Sequence, residues 1–106
     1  MERVALKGDN LNGEHPAGPV VAPITGYIGT GSDNVYINGT PAARVGDTTY
    51  EWCSLHEILP VFGTLIRGSS KVFINGKPAA YAMKDIRPHA GTAELTSGGS
   101  SNVFIV

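Results

Sequence analysis

GSDNVYINGTPAARVGD, residues 31–47, returns as GSSKVFINGKPAAYAMKD over residues 68–85 and begins a third time as GSSNVFIV at 99–106. Each copy carries a Val-aromatic-Ile core: Val35-Tyr36-Ile37, Val72-Phe73-Ile74 and Val103-Phe104-Ile105. β-Branched and aromatic side chains suit a pleated, half-buried surface. A period of two puts Val35 and Ile37 on one face and Tyr36 on the other, and the same holds in the other copies. Asn38-Gly39 and Asn75-Gly76 then supply the two positive-φ residues of a type I′ hairpin turn. The returning strands, Pro41-Ala42-Ala43-Arg44-Val45 and Pro78-Ala79-Ala80-Tyr81-Ala82, have small side chains that let backbones approach closely. A leading Pro suits a strand's first residue or an edge.

The three Val positions lie 37 and 31 residues apart (35 to 72, 72 to 103). Each copy also has an upstream glycine segment: Gly26-Tyr27-Ile28-Gly29, Gly63-Thr64-Leu65-Ile66 and Gly91-Thr92-Ala93-Glu94. Three copies of one unit, over about 26–47, 63–85 and 91–106, predict pseudo-threefold packing around a common axis. No 12-residue window has a helical period. The nearest, 51–59, stops at Pro60 and has room only for a short helical turn. The sequence therefore predicts an all-β domain over residues 1–106, built of short β-hairpins.

Composition agrees. A chain of 106 residues has room for one modest core. Fourteen Gly and seven Pro make about a fifth of it, against about 12% in average usage, which points to many turns. Eight basic and nine acidic residues leave a net charge of −1. Without a basic run, phosphate neutralisation has no footing, and no nucleic-acid partner is expected. No apolar stretch reaches the roughly 18–20 residues that cross a bilayer. The start, Met1-Glu2-Arg3-Val4, lacks the basic and apolar regions of a signal peptide, so synthesis in the bacterial cytoplasm without one is expected.

The chemistry lies in three histidines and one cysteine. His15, His56 and His89 are 41 and 33 residues apart, and each precedes its own Val-x-Ile strand by 20, 16 or 14 residues. A threefold relation would gather the imidazoles near one end of the axis. Cys53, the single cysteine, excludes an internal disulfide and forms a C-x-x-H pair with His56, so one turn can offer both donors to one ion. His15, Cys53, His56 and His89 make a Cys-His₃ donor set suited to one structural zinc. Hard cations such as magnesium and calcium fit poorly; iron is the weaker alternative, and nickel is also compatible.

A catalytic zinc needs an open fourth position, and Cys53 would fill it. Glu14 and Glu57 adjoin histidines as candidate bases, and Cys53–His56 is a candidate thiol pair that lacks an oriented third group. A small metal-dependent hydrolase or thiol enzyme delivered as cargo is thus the alternative to a protein with no catalytic residues.

These residues resemble the PAAR-repeat family, whose name is spelled at Pro41-Ala42-Ala43-Arg44. Ala5-Leu6-Lys7-Gly8-Asp9 followed by His15 is similar to the family's opening. The stretch from Val35 through Asp47 to Cys53 and His56 is the most specific part of the match. The second copy departs from it at Tyr81, with Met83-Lys84-Asp85 where Val-Gly-Asp would stand, and His15 is followed by Pro in place of Gly.

The resemblance implies a cone of hairpins with zinc near its apex on His15, Cys53, His56 and His89. It also implies a non-enzymatic tip that caps the trimeric VgrG spike of a type VI secretion system, or a phage tail-spike counterpart. The base would meet the trimer while the point makes transient contact with a target membrane. Some relatives carry effectors; the short flanks of the repeats here lead to the expectation that none is fused. From the repeat alone, Tyr36, Phe73 and Phe104, or their Val and Ile neighbours, are expected toward the base, and Arg44 is expected to be a structural ion-pair partner.

Overall fold

Asn38 and Asn75 have φ of 53° and 55°, and Gly39 and Gly76 have 83° and 79°, the left-handed pairs that type I′ turns demand. A computed structural model describes residues 2–54, 60–96 and 98–105. In it these turns join β4 (Tyr36–Ile37) to β5 (Thr40–Pro41) and β8 (Gly68–Ile74) to β9 (Lys77–Ala80) as antiparallel ribbons.

The third ribbon is closed from the other end of the chain. β1 (Glu2–Arg3) pairs with β12 (Phe104–Ile105), Arg3 opposite Phe104. Pro41 stands opposite Tyr36 and Pro78 opposite Phe73. Arg3-Val4-Ala5-Leu6 is therefore the third copy of Pro-Ala-Ala-Arg.

The small residues explain how the units meet. The Ala5 N–H donates to the Ala80 carbonyl (2.9 Å), Ala43 to Ala5 (2.9 Å) and Ala80 to Ala43 (3.0 Å), a closed ring of three backbone bonds. All three alanines are buried. A larger side chain would prevent so close an approach of three backbones. The three Ile-side faces cover the outer end of this ring: Val4, Ala42, Ile74, Ala79 and Ile105 pack with Ile37, Val72 and Tyr81. The aromatics at 36, 73 and 104 face outward, as the alternation predicted.

Beyond the ring each unit makes a tight turn with positive φ at Gly8 (93°), Gly46 (96°) and Met83 (62°). The next carbonyls, of Asp9, Asp47 and Lys84, accept from the N–H groups of Ile28, Leu65 and Leu95. This sets two registers that differ from the sequence reading. Lys84, not Asp85, matches Asp9 and Asp47. Ala93, not Gly91, matches Gly26 and Gly63, each two residues before the apolar residue that makes this bond.

Three hairpin arms continue from these turns: β2 (Asn10–Ala17) with β3 (Val20–Ile28), β6 (Thr48–Cys53) with β7 (Val61–Thr64), and β10 (Asp85–Ile86) with β11 (Thr92–Leu95). They form one antiparallel sheet in the order β10-β11-β2-β3-β6-β7. Thr64 and Arg87 exchange backbone hydrogen bonds of 2.7 and 2.9 Å, joining the two outer strands so that the sheet curls closed. Leu11, Ile24, Ile28, Leu65, Ile86 and Leu95 fill its interior down to the alanine ring. The result is an elongated cone-like body of 41 × 24 × 23 Å, with no α-helix among the described residues. Residues 51–53, expected to open a helical turn, end β6; residues 55–59 lie outside the described residues.

Candidate metal centre

In β6, alternation sends Thr49, Glu51 and Cys53 inward, all three buried, and Tyr50 and Trp52 outward. Cys53 pairs across the sheet with Ile24, and His15 on β2 pairs with Ala22 two positions along the same strand β3. His89 follows β10. His15 is six residues beyond Asp9, Cys53 six beyond Asp47, and His89 five beyond Lys84. At about 3.3 Å per residue, all three stand roughly 17–20 Å of strand from the ring end of their arms. The pseudo-threefold thus relates His15, Cys53 and His89, where the sequence reading had related three histidines.

Their donor atoms converge. Cys53 Sγ is 3.6 Å from His15 Nδ1 and 3.5 Å from His89 Nε2, and the two nitrogens are 3.2 Å apart. The rings meet edge to face at 5.1 Å and 73°. A tetrahedral ion with bonds of about 2.3 Å to sulfur and 2.05 Å to nitrogen places S and N about 3.5 Å apart and two N atoms about 3.3 Å apart. The observed triangle has these dimensions, and one ion could be held by all three side chains. His56, the fourth ligand expected from the sequence, lies outside the described residues.

Glu51 stands behind this triangle. His89 Nδ1 is 2.7 Å from Glu51 Oε1, and the His89 backbone N–H donates to the same oxygen (2.9 Å). The Thr49 hydroxyl donates to Oε2 (2.5 Å). Among the described residues no buried side-chain nitrogen or oxygen is left without a partner. The sequence reading considered Glu14 and Glu57 and passed over Glu51. Its signal was the spacing Thr49-x-Glu51-x-Cys53, visible only once 51–53 is read as strand.

A family model of the PAAR motif matches residues 12–92, most of the chain. The chain belongs to the PAAR motif family. That span contains every residue of the donor triangle. It leaves out β1 and β12, which close the third ribbon of this PAAR fold. No match was found among curated proteins. Among the described residues no helix is long and apolar enough to cross a membrane.

Proposed function

We propose that this chain is a non-enzymatic tip that caps a trimeric VgrG-type spike of a type VI secretion system or a related contractile machine such as a phage tail. The observation that carries the proposal is the donor triangle of His15, Cys53 and His89 in a PAAR motif fold. His56 completes the set, and the ion is one structural zinc. A point has little interior to bury, and a metal that ties distant segments supplies stability where apolar area runs out. Structural zinc contributes on the order of 10 kcal/mol of coupled binding and folding free energy. Cys53 in the fourth position leaves no site for an activated water, so the metal's role is structural. The protein is made in the cytoplasm, leaves on the spike, and touches the target membrane only in passing.

The other end suits the trimer. Tyr36, Phe73 and Phe104 are about half exposed (57%, 56% and 48%), one from each ribbon. Three equivalent aromatics let a single chain meet three equivalent subunits. Co-purification with the trimeric spike protein tests this: one chain per trimer is expected, and alanine at 36, 73 or 104 should weaken the complex. A chain that ignores the trimer yet cleaves an ester or peptide overturns the proposal.

A further inference from the structure

We infer that Glu51 is a positioning residue of the metal centre, fixing the tautomer and orientation of His89 so that Nε2 faces the ion. The inference rests on the reading that His15, Cys53 and His89 hold a metal. Glu51 is completely buried, and a carboxyl group is tolerated there only when its oxygens are satisfied. Three polar groups converge on it: the His89 N–H, His89 Nδ1 and the Thr49 hydroxyl. Oε1 already accepts the His89 N–H, so it meets Nδ1 as an acceptor and selects the tautomer with its hydrogen on Nδ1. Nε2 is the atom that faces Cys53 Sγ and His15 Nδ1.

The neighbouring strand leaves room for this carboxyl. Gly63 lies opposite Thr49, and a Cβ there would collide with Glu51 Oε2 and come within 2.6 Å of Thr49 Oγ1. The anchor is also stiff. Glu51 and Cys53 are two residues apart on one strand, so a ligand and the support of another ligand move as one piece. His89 lies beyond the short strand β10, and its two bonds to Glu51 tie that segment to β6.

Two measurements on the full chain test the assignment. Nitrogen-resolved NMR of the metal-free protein should show His89 protonated at Nδ1. In a cobalt(II) titration against a competing chelator, E51Q should stay folded and bind about tenfold more weakly than wild type, and E51L about 100-fold more weakly. Gln still accepts from His89 but is a weaker acceptor than a carboxylate, so E51Q carries the test even if E51L does not fold. A His89 that carries its hydrogen on Nε2 and not on Nδ1, or an E51Q that binds cobalt as tightly as wild type, overturns the role of Glu51 alone. A wild-type chain that takes up neither cobalt nor zinc overturns the metal reading itself, and Glu51's role with it.

Discussion

Asp9 and Asp47 occupy matching turns, and each accepts the N–H three residues before it, from Leu6 (2.8 Å) and Arg44 (2.7 Å). Burial pushes Asp9 above the usual carboxylate range, and the N–H groups of Leu6 and Gly99 with the charge of Arg3 offset only part of that. Burial pushes Asp47 the same way, but the Arg44 guanidinium, the Arg44 N–H and the Thr30 hydroxyl outweigh it and hold Asp47 below its ordinary value. Arg44 in the place of Leu6, together with the Thr30 hydroxyl, gives the opposite sign. Asp47 binds its proton more weakly folded than unfolded. Its contribution is therefore complete above about pH 4 and is lost as pH falls through the lower folded value. Asp9 has the opposite sign and loses its contribution as pH rises through its raised value. Melting curves from pH 6 to pH 3 should show D47N less stable than wild type near neutrality, with the gap closing in acid. R44L, which takes the neutralising guanidinium from the buried Asp47, should cost about 3 kcal/mol, or at least about 10 °C in melting temperature. The ion pair of Arg44 was legible in the sequence from its place after the hairpin. The shift of Asp9 was not, because burial depends on the whole fold.

At the scale of the element, each ribbon opens with the same device. Ser32, Ser69 and Ser100 are buried, and each hydroxyl accepts the N–H of the Val three residues on, Val35 (2.9 Å), Val72 (2.9 Å) and Val103 (2.8 Å). This is why Gly-Ser precedes all three Val-x-Ile strands: the hydroxyl satisfies backbone donors that the turn leaves without a carbonyl. Replacing Ser69 by Ala leaves those donors unpaired and should cost about 1–3 kcal/mol in denaturant unfolding. S32A and S100A should cost similar amounts. An effect confined to one copy would contradict their equivalence. The ribbons at β4–β5 and β8–β9 were legible because alternation and Asn-Gly are local signals. β6 was not: in Glu51-Trp52-Cys53 the acidic residue and the cysteine share an inward face. Periodicity alone could not separate that from a helical turn, since Glu51 turns inward to meet His89 and Thr49 and not for hydrophobic burial.

Across the whole molecule, the threefold is closed by two segments from opposite ends of the chain. Arg3-Val4-Ala5-Leu6 carries no Pro-Ala-Ala, so the sequence places only residues 91–106 in the third unit. Only the pairing of β1 with β12 reveals its other half. The Ala5–Ala43–Ala80 ring then joins base to cone, and its tolerance for volume should be low. A43V adds two methyls where three backbones meet and should cost about 1–3 kcal/mol by overpacking, read as a lower denaturant midpoint with an unchanged slope. Outside, the cone is less symmetric than its core. Tyr27, Tyr50 and Phe62 face one another across adjacent strands, Trp52 packs on Tyr27 with ring centres 5.6 Å apart, and the acidic side chains of Glu14, Asp85 and Glu94 lie on the opposite side of the strand order.

Donors distant in sequence, closing on one ion, would stiffen the far end of the cone. X-ray absorption on the purified chain at the edge of its bound metal tests it most directly, with C53S alongside. The expected result is one zinc per chain with one sulfur at about 2.3 Å and nitrogens at about 2.0–2.1 Å, and loss of the sulfur shell and of chelator-sensitive melting in C53S. A chain that carries no stoichiometric metal and melts at the same temperature with and without chelator would contradict it.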